Sequence, residues 1–230
     1  MFLTRFQINP RRRGSYKLLS SPQAMHAAVL SGFAEPQAEG VGRVLWRVDS
    51  QAHQAFLYIV SGARPDLSHL VEQAGWPTTE TWLTHSYDSF LDGLAEGQRW
   101  GFRLTANPTK SLAVPGGGRG KVIPLSASSE QLEWLLARAE RSGFSIPLAD
   151  GLDPEEPPTP GDYRFEIRED SVRKFLRQGQ QVTLAVSTFD GVLDVVDAAR
   201  LRRSLMDGIG RAKGYGCGLM TLAPLSRGPE

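Results

Sequence analysis

The chain is poor in several things that usually announce a function. A single cysteine, Cys217, stands among 230 residues. An intramolecular disulfide is therefore excluded, as is any cysteine-based zinc cluster. Histidines number four, His26, His53, His69 and His85. No two of them stand at HxH or HExxH spacing, and Asp66, Asp88 and Asp92 form no convincing carboxylate cluster, so no metal site is expected. No run is long or apolar enough to span a membrane. The start, MFLTRFQINPRRR, lacks the apolar core of a secretory signal. A soluble, cytoplasmic protein with no membrane contact fits these absences. Charge of one sign is also missing. Lys and Arg total 26 against 25 Asp and Glu, a formal net charge of +1. Bulk charge thus does not advertise a nucleic-acid binder, although local clusters still focus a field.

What is present begins with pattern. Hydrophobic residues make up 40% of the chain, which argues against whole-chain disorder. Residues 2–8 alternate as a strand, with Phe2, Thr4, Phe6 and Ile8 on one side. A cation-rich loop is expected next. Ser21 can cap a helix over 22–31, with Pro22 in its first turn and Gly32 ending it. Strands are expected at 43–48, 55–62 and 82–87, and a short helix at 66–74. This order is strand, helix, strand, strand, helix, strand, which is the ferredoxin-like order.

A junction follows at LAEGQ, and a second pass starts at residue 99. It has a flexible GGGRG segment at 116–120, a short strand at 121–125 and a helix from Glu130 to Gly143 capped by Ser128 or Ser129. FSIPL (144–148) extends, and residues 150–162 form an acidic, proline-rich loop. Strands are expected at 163–169 and 181–195, the latter bending near Asp190 and Gly191. A helix over 197–210 and a strand over 218–225 close the pass. The fold expected is α+β, two tandem ferredoxin-like (RNA-recognition-like) domains, at 1–94 and 99–226, with one large α+β domain as the alternative.

Before the last strand the chain reads GIGRAKGYGCGLMTLAPL. A helix holds that many glycines poorly, at about 1 kcal/mol each, so a loop is expected. It lacks the Ser or Thr after Lys213 that a phosphate-binding Walker loop needs. It follows a helix and precedes a strand, the reverse of a dinucleotide fingerprint. No cofactor and no obligate small-molecule ligand is implied. Two readings stay open: a nest for an anion, with Arg211 and Lys213 adding charge, and a tight connector whose glycines permit close packing.

That stretch resembles the glycine-rich motif of the CRISPR repeat-processing endoribonucleases, most nearly the CasE group, which serves the type I-E effector complex (Cascade). FLTRFQINP, SPQAMH, RLTANPTK and FDGVLDVVD are similar to segments of the same family, and the resemblance spans nearly the whole chain. It implies two ferredoxin-like domains. It implies metal-independent cutting of precursor RNA at the 3′ side of a repeat stem-loop, leaving a 5′-hydroxyl and a 2′,3′-cyclic or 3′ phosphate. The implied partners are that RNA stem-loop, which stays bound, and the other protein subunits of the complex.

The resemblance places the catalytic histidine at His26. Several members carry a tyrosine three residues earlier, where this chain has Gln23. Glutamine can bond a phosphate oxygen or a ribose but cannot exchange a proton. Without a metal the neighbouring 2′-OH is the nucleophile. One group must take its proton and another must protonate the leaving 5′-oxygen. A histidine near pKa 6.5 can do either. His26 is expected to handle the 2′-OH proton, and Lys17 or a nearby arginine to stabilise the phosphate. RNA contacts are expected from Arg11, Arg12 and Arg13, from Gln23, from Lys110 near the junction, and from Gly208, Gly210, Arg211 and Lys213 in the loop. By the resemblance, a basic hairpin over 164–177 enters the major groove, with Arg164, Arg168, Arg173, Lys174 and Arg177. The five tryptophans read as core residues. Rival readings are a non-cleaving RNA-binding subunit and a small-ligand or protein-interaction module on the same fold.

Overall fold

The structure is a computed structural model and describes residues 1–34, 43–51, 53–76, 82–112, 120–151, 158–177 and 179–225. The first half runs β1 (Phe2–Ile8), α1 (Arg13–Ser20), α2 (Pro22–Leu30), β2 (Leu45–Gln51), β3 (Gln54–Ser61), α3 (Ser68–Ala74) and β4 (Trp82–Ser86). Its sheet has the order β2-β3-β1-β4, antiparallel throughout. Period-two alternation sends Phe6 and Ile8 of β1 to one face, where they pack with Met25 and Val29 of α2. Arg5 lies on the other face and is exposed.

A short helix, α4 (Asp88–Asp92), leads to the second half. There follow β5 (Arg99–Ala106), β6 (Thr109–Ser111), β7 (Val122–Pro124), α5 (Ser128–Ser142), β8 (Phe144–Ser145), β9 (Phe165–Arg177), β10 (Gln180–Val195), α6 (Ala198–Asp207) and β11 (Met220–Ala223). The main sheet has the order β11-β5-β10-β8, with β9 also paired to β10. Both sheets thus set the last strand beside the first and the third beside the first, which is the ferredoxin-like arrangement used twice. The two halves share apolar surface. Leu45 and Val60 of the first sheet lie in one cluster with Leu104 and Met220 of the second.

Several expectations need correction. The cation-rich stretch after β1 is helical from Arg13. Ser15 and Leu18, three apart on one face, are buried beneath it. Gly14 lets its backbone close on α3, since a Cβ there would collide with the Gln73 carbonyl oxygen. Neither Ser128 nor Ser129 caps α5. Both lie within the helix, and Ala127 holds the cap position without a side-chain bond. The strand expected at 163–169 continues to Arg177, and β10 runs unbroken past Gly191 with its register shift at Thr188 and Phe189. The strand around Val122 pairs with β6 and stays off the main sheet. The GGGRG segment falls outside the described residues except for Gly120, as do residues 152–157 of the acidic loop.

Candidate active site and nucleic-acid interface

Helix α2 starts where the sequence predicts. Ser21 Oγ accepts from the Ala24 N–H at 3.2 Å, and Pro22 occupies the first turn. Met25 and Val29 then point into the core. His26 is turned about 100° from Met25 and is half-buried. Its ring stacks on Trp46 of β2, with centroids 6.5 Å apart at 24°. Trp46 Nε1–H donates to His26 Nδ1 at 3.2 Å. An indole N–H can only donate, so Nδ1 carries a lone pair and the neutral ring carries its hydrogen on Nε2. Burial lowers the His26 pKa below its ordinary 6.5. Both influences favour the neutral ring at pH 7.

Nε2 faces the glycine loop. A Cβ at Gly214 would lie 3.5 Å from it. The loop leaves α6 at Gly208, whose φ is +78°, and is pinned at its base by Ile209 N–H donating to Gly218 O at 2.8 Å. Gly218 closes on the loop's own backbone, at Ile209 O, and three other glycines close on side chains of the scaffold. A Cβ at Gly208 would meet Leu45, one at Gly210 would meet Trp134, and one at Gly216 would lie 2.7 Å from Trp46. The glycines therefore serve close packing, and they set the loop against the His26 pair. Lys213 is turned inward, with Nζ donating to Asp207 O at 2.6 Å. Burial and the nearby Arg43 lower its pKa. Arg211 is exposed. Cys217 is wholly buried below the loop, and desolvation pushes its thiol up to about 12, so it is not a reactive thiol.

Strand β2 is held by Arg47, which is 1% exposed. Its guanidinium makes five hydrogen bonds: two to Asp49, two to the carbonyls of Arg103 and Leu219, and one to Thr221 Oγ1. Every N–H of the fork is used. Arg103 bonds Asp49 at 3.2 Å and Asp190 at 2.5 Å. Trp46, next along β2, is thereby fixed to strands of the second half.

The predicted RNA contacts divide. Arg11, Arg13, Lys17 and Gln23 are exposed around α1 and the first turn of α2. Gln23 precedes His26 by three residues, hence lies on a neighbouring face of the helix. Arg12 is bound inside the fold, donating to the carbonyls of Val71 and Gly75. Lys110 pairs with Glu130 at 2.6 Å. In the hairpin of β9 and β10, Arg164 pairs with Asp150, Arg168 with Glu166 and Asp190, and Arg173 with Glu169. Lys174 is exposed. The side chain of Arg177 is outside the described residues. Tyr215 of the glycine loop packs on Phe175 of the hairpin at 4.8 Å. A cleft of about 490 Å³ lies between Leu18, Met25 and Trp46 on one side and Arg168 and Arg173 on the other. The hairpin, α2 and the loop thus meet at one place.

The other histidines do not join it. His53 and His85 are exposed, and His69 Nε2 bonds Ala28 O at 2.8 Å. Among the described residues, no three His, Cys, Asp or Glu side chains gather as a metal site, and no helix is long and apolar enough to cross a membrane. Two residues that sequence reasoning missed are Trp46 and Arg47. A charge inside the apolar run VLWRV was the available signal for Arg47. Nothing in sequence spacing pairs Trp46 with His26.

Residues 1–224 match the family described as CRISPR associated protein. The chain is 29% identical to the CRISPR-associated endoribonuclease Cse3 of Thermus thermophilus, over 97% of this chain and all of that protein. It is 32% identical to the CRISPR system Cascade subunit CasE of Escherichia coli, over 54% of this chain and 57% of that one. Among solved structures it is similar to Thermus thermophilus Cse3 bound to an RNA representing a pre-cleavage complex, with TM-score 0.75, 29% identity and coverage of 97% and 98%. With its two ferredoxin-like halves and a match that runs from the first residue into the last strand, the chain belongs to the CRISPR-associated protein family.

Proposed function

We propose that this protein is an endoribonuclease that cuts CRISPR precursor RNA at the 3′ side of the repeat stem-loop and retains the product. It works as one subunit of a type I-E effector complex in the cytoplasm, with residues 1–94 and 99–226 as its two domains. The observation that carries this reading is the full-length likeness to an endoribonuclease solved on a pre-cleavage RNA. The local geometry agrees with it, because a half-buried histidine turns one nitrogen toward the glycine loop, and a cleft beside its helix is lined by Arg168 and Arg173 of the hairpin.

The reaction is attack of the 2′-OH on the adjacent phosphorus with loss of the 5′-oxygen. A 2′,3′-cyclic phosphate and a 5′-hydroxyl result, and no metal takes part. His26 Nε2 is the proton-transfer atom. With Nδ1 engaged by Trp46, the neutral ring bears its hydrogen on Nε2, where it can hydrogen-bond a phosphate or leaving oxygen but not release that proton, since only the imidazolium is an acid near neutral pH. Accepting the 2′-OH proton at Nε2 requires the ring to give up the Trp46 bond. Lys17, with the exposed Arg11 and Arg13, supplies positive charge for the phosphorane, and Gln23 bonds a phosphate oxygen or the ribose. The stem lies along β9 and β10, with Arg164, Arg168, Arg173, Lys174 and Arg177 on its phosphates.

The test is cleavage of the cognate repeat hairpin in excess EDTA, read by fragment size and end chemistry. One discrete cut ending in a cyclic phosphate, lost in His26→Ala, is expected. Tight binding without cutting would instead favour a non-cleaving RNA-binding subunit.

A further inference from the structure

Arg99, Arg103, Lys110, Arg164, Arg168, Arg173 and Arg200 of the second half each have a carboxylate partner. One group of cations away from the hairpin has none among the described residues. Arg138 and Arg141 stand three apart on α5, hence on one side of the helix. The Arg138 guanidinium lies over the Trp134 ring, 5.4 Å from its centroid. The same ring is the floor beneath Gly210, whose Cβ position is 3.1 Å from it. Arg211 is the next residue along the loop. Three arginines therefore converge from a helix and from the glycine loop. No salt bridge or hydrogen bond joins any of their side chains to an acid among the described residues. Desolvation, then the like charges of Arg141 and Arg211, lower the Arg138 pKa. Like charges gathered in this way repel each other, and an anion relieves the repulsion.

From the convergence of Arg138, Arg141 and Arg211 beside Gly210, we infer a second RNA-binding site that grips backbone phosphates, apart from the β9–β10 hairpin. The inference rests on the endoribonuclease reading. Arg211 is three residues from Gly214, so the chain spans at most about 11 Å between them. The site thus holds phosphates close to the one at His26. Arg138 is pre-set for the task, because stacking on Trp134 fixes its planar fork and less freedom is lost when it takes two phosphate oxygens. Gripping the strand at the glycine loop as well as at the hairpin holds the scissile phosphate from both ends of the site. That suits an enzyme whose catalysis depends on placing a flexible backbone in line.

The test is equilibrium binding of the repeat RNA, made uncleavable by a 2′-deoxy nucleotide at the cut, across a salt series. The variants are Arg141→Gln with Arg211→Gln, both exposed, and Arg138→Gln separately. Arg5→Gln, on the opposite face of the first sheet, is the control, and thermal unfolding checks that each variant folds. The double variant is expected to bind about tenfold more weakly per arginine, with a log–log salt slope shallower by about 1 for each arginine replaced. Arg5→Gln should match the wild type. A double variant with wild-type affinity and slope overturns the proposal. So does a double variant that binds RNA normally yet fails to assemble with the other effector subunits, which would make this face a protein contact. A wild-type protein that does not bind the hairpin overturns the endoribonuclease reading itself, and this inference with it.

Discussion

Trp46 donates its indole N–H to Nδ1 of His26 at 3.2 Å, across the sequence gap between β2 and α2. The contact stabilises the neutral imidazole and opposes the imidazolium, whose Nδ1–H would face another donor. Burial acts in the same direction. In the folded protein His26 should therefore titrate below 6.5, with the neutral ring protonated on Nε2. In Trp46→Phe the opposing donor is gone, so the pKa should rise. Nitrogen-15 spectra of the imidazole across a pH series read both the tautomer and the midpoint. A midpoint unmoved by the substitution would remove Trp46 from any role in setting the proton. The same shift has a stability consequence. The unfolded chain takes up the proton first as pH falls below 6.5, so His26 makes folding less favourable as pH drops through that range.

Two glycines two residues apart should behave differently. Gly216 has φ +82°, and a Cβ there would lie 2.7 Å from the Trp46 ring. Gly216→Ala meets both strain and overlap, and a loss of about 2–4 kcal/mol is expected. Gly214 carries no such φ, and its Cβ would make ordinary contact with the His26 ring at 3.5–3.8 Å. Gly214→Ala should fold as the wild type does but place a methyl group beside Nε2. Single-turnover cleavage should then fall about tenfold to a hundredfold. Equal stability losses in the two variants, by thermal unfolding, would contradict this division.

Arg47 is the joint between the halves. Its fork is fully bonded, and its removal leaves the carbonyls of Arg103 and Leu219 without their donor and Asp49 with Arg103 alone. Arg47→Ala should destabilise by about 3–5 kcal/mol. Arg47→Lys should rescue only part of that, because an ammonium cannot reproduce the planar fork. Denaturant unfolding gives both numbers. Cleavage by the surviving folded fraction should also fall, since Trp46 follows the same strand.

Much of the fold was legible because each half follows one pattern. Alternation marks β1, the Ser21-Pro22 pair marks the start of α2, and the glycine run marks a loop. The errors fell where local signals mislead. Charges at Arg11 to Arg13 hid the helical spacing of Ser15 and Leu18. Asp190-Gly191 read as a bend, although Gly191 sits in a continuous strand where close approach of Arg164 O leaves no room for a Cβ. For the site, His26 came from a family resemblance and not from its spacing. Trp46, Arg47 and the arginines around Trp134 depend on pairing between distant strands and helices, which no window of sequence displays.

The hairpin allows a prediction in the direction of gain. Glu169 lies between Arg168 and Arg173 at the cleft, accepting from Arg173 at 3.2 Å and from Ser171 at 2.9 Å. Such an exposed pair contributes little to folding, on the order of 0–1 kcal/mol. An RNA phosphate at Arg173 must displace this carboxylate or be repelled by it. Glu169→Gln keeps the shape and a side-chain acceptor but removes the charge, so hairpin affinity should rise severalfold with stability nearly unchanged. Because the effect is electrostatic, it should shrink as salt rises. Lys174→Gln should act oppositely, weakening binding and lowering the salt slope by about 1. If Glu169→Gln weakens binding at low salt, the carboxylate is positioning Arg173 for the phosphate and not competing with it, and the RNA path would have to keep that ion pair intact.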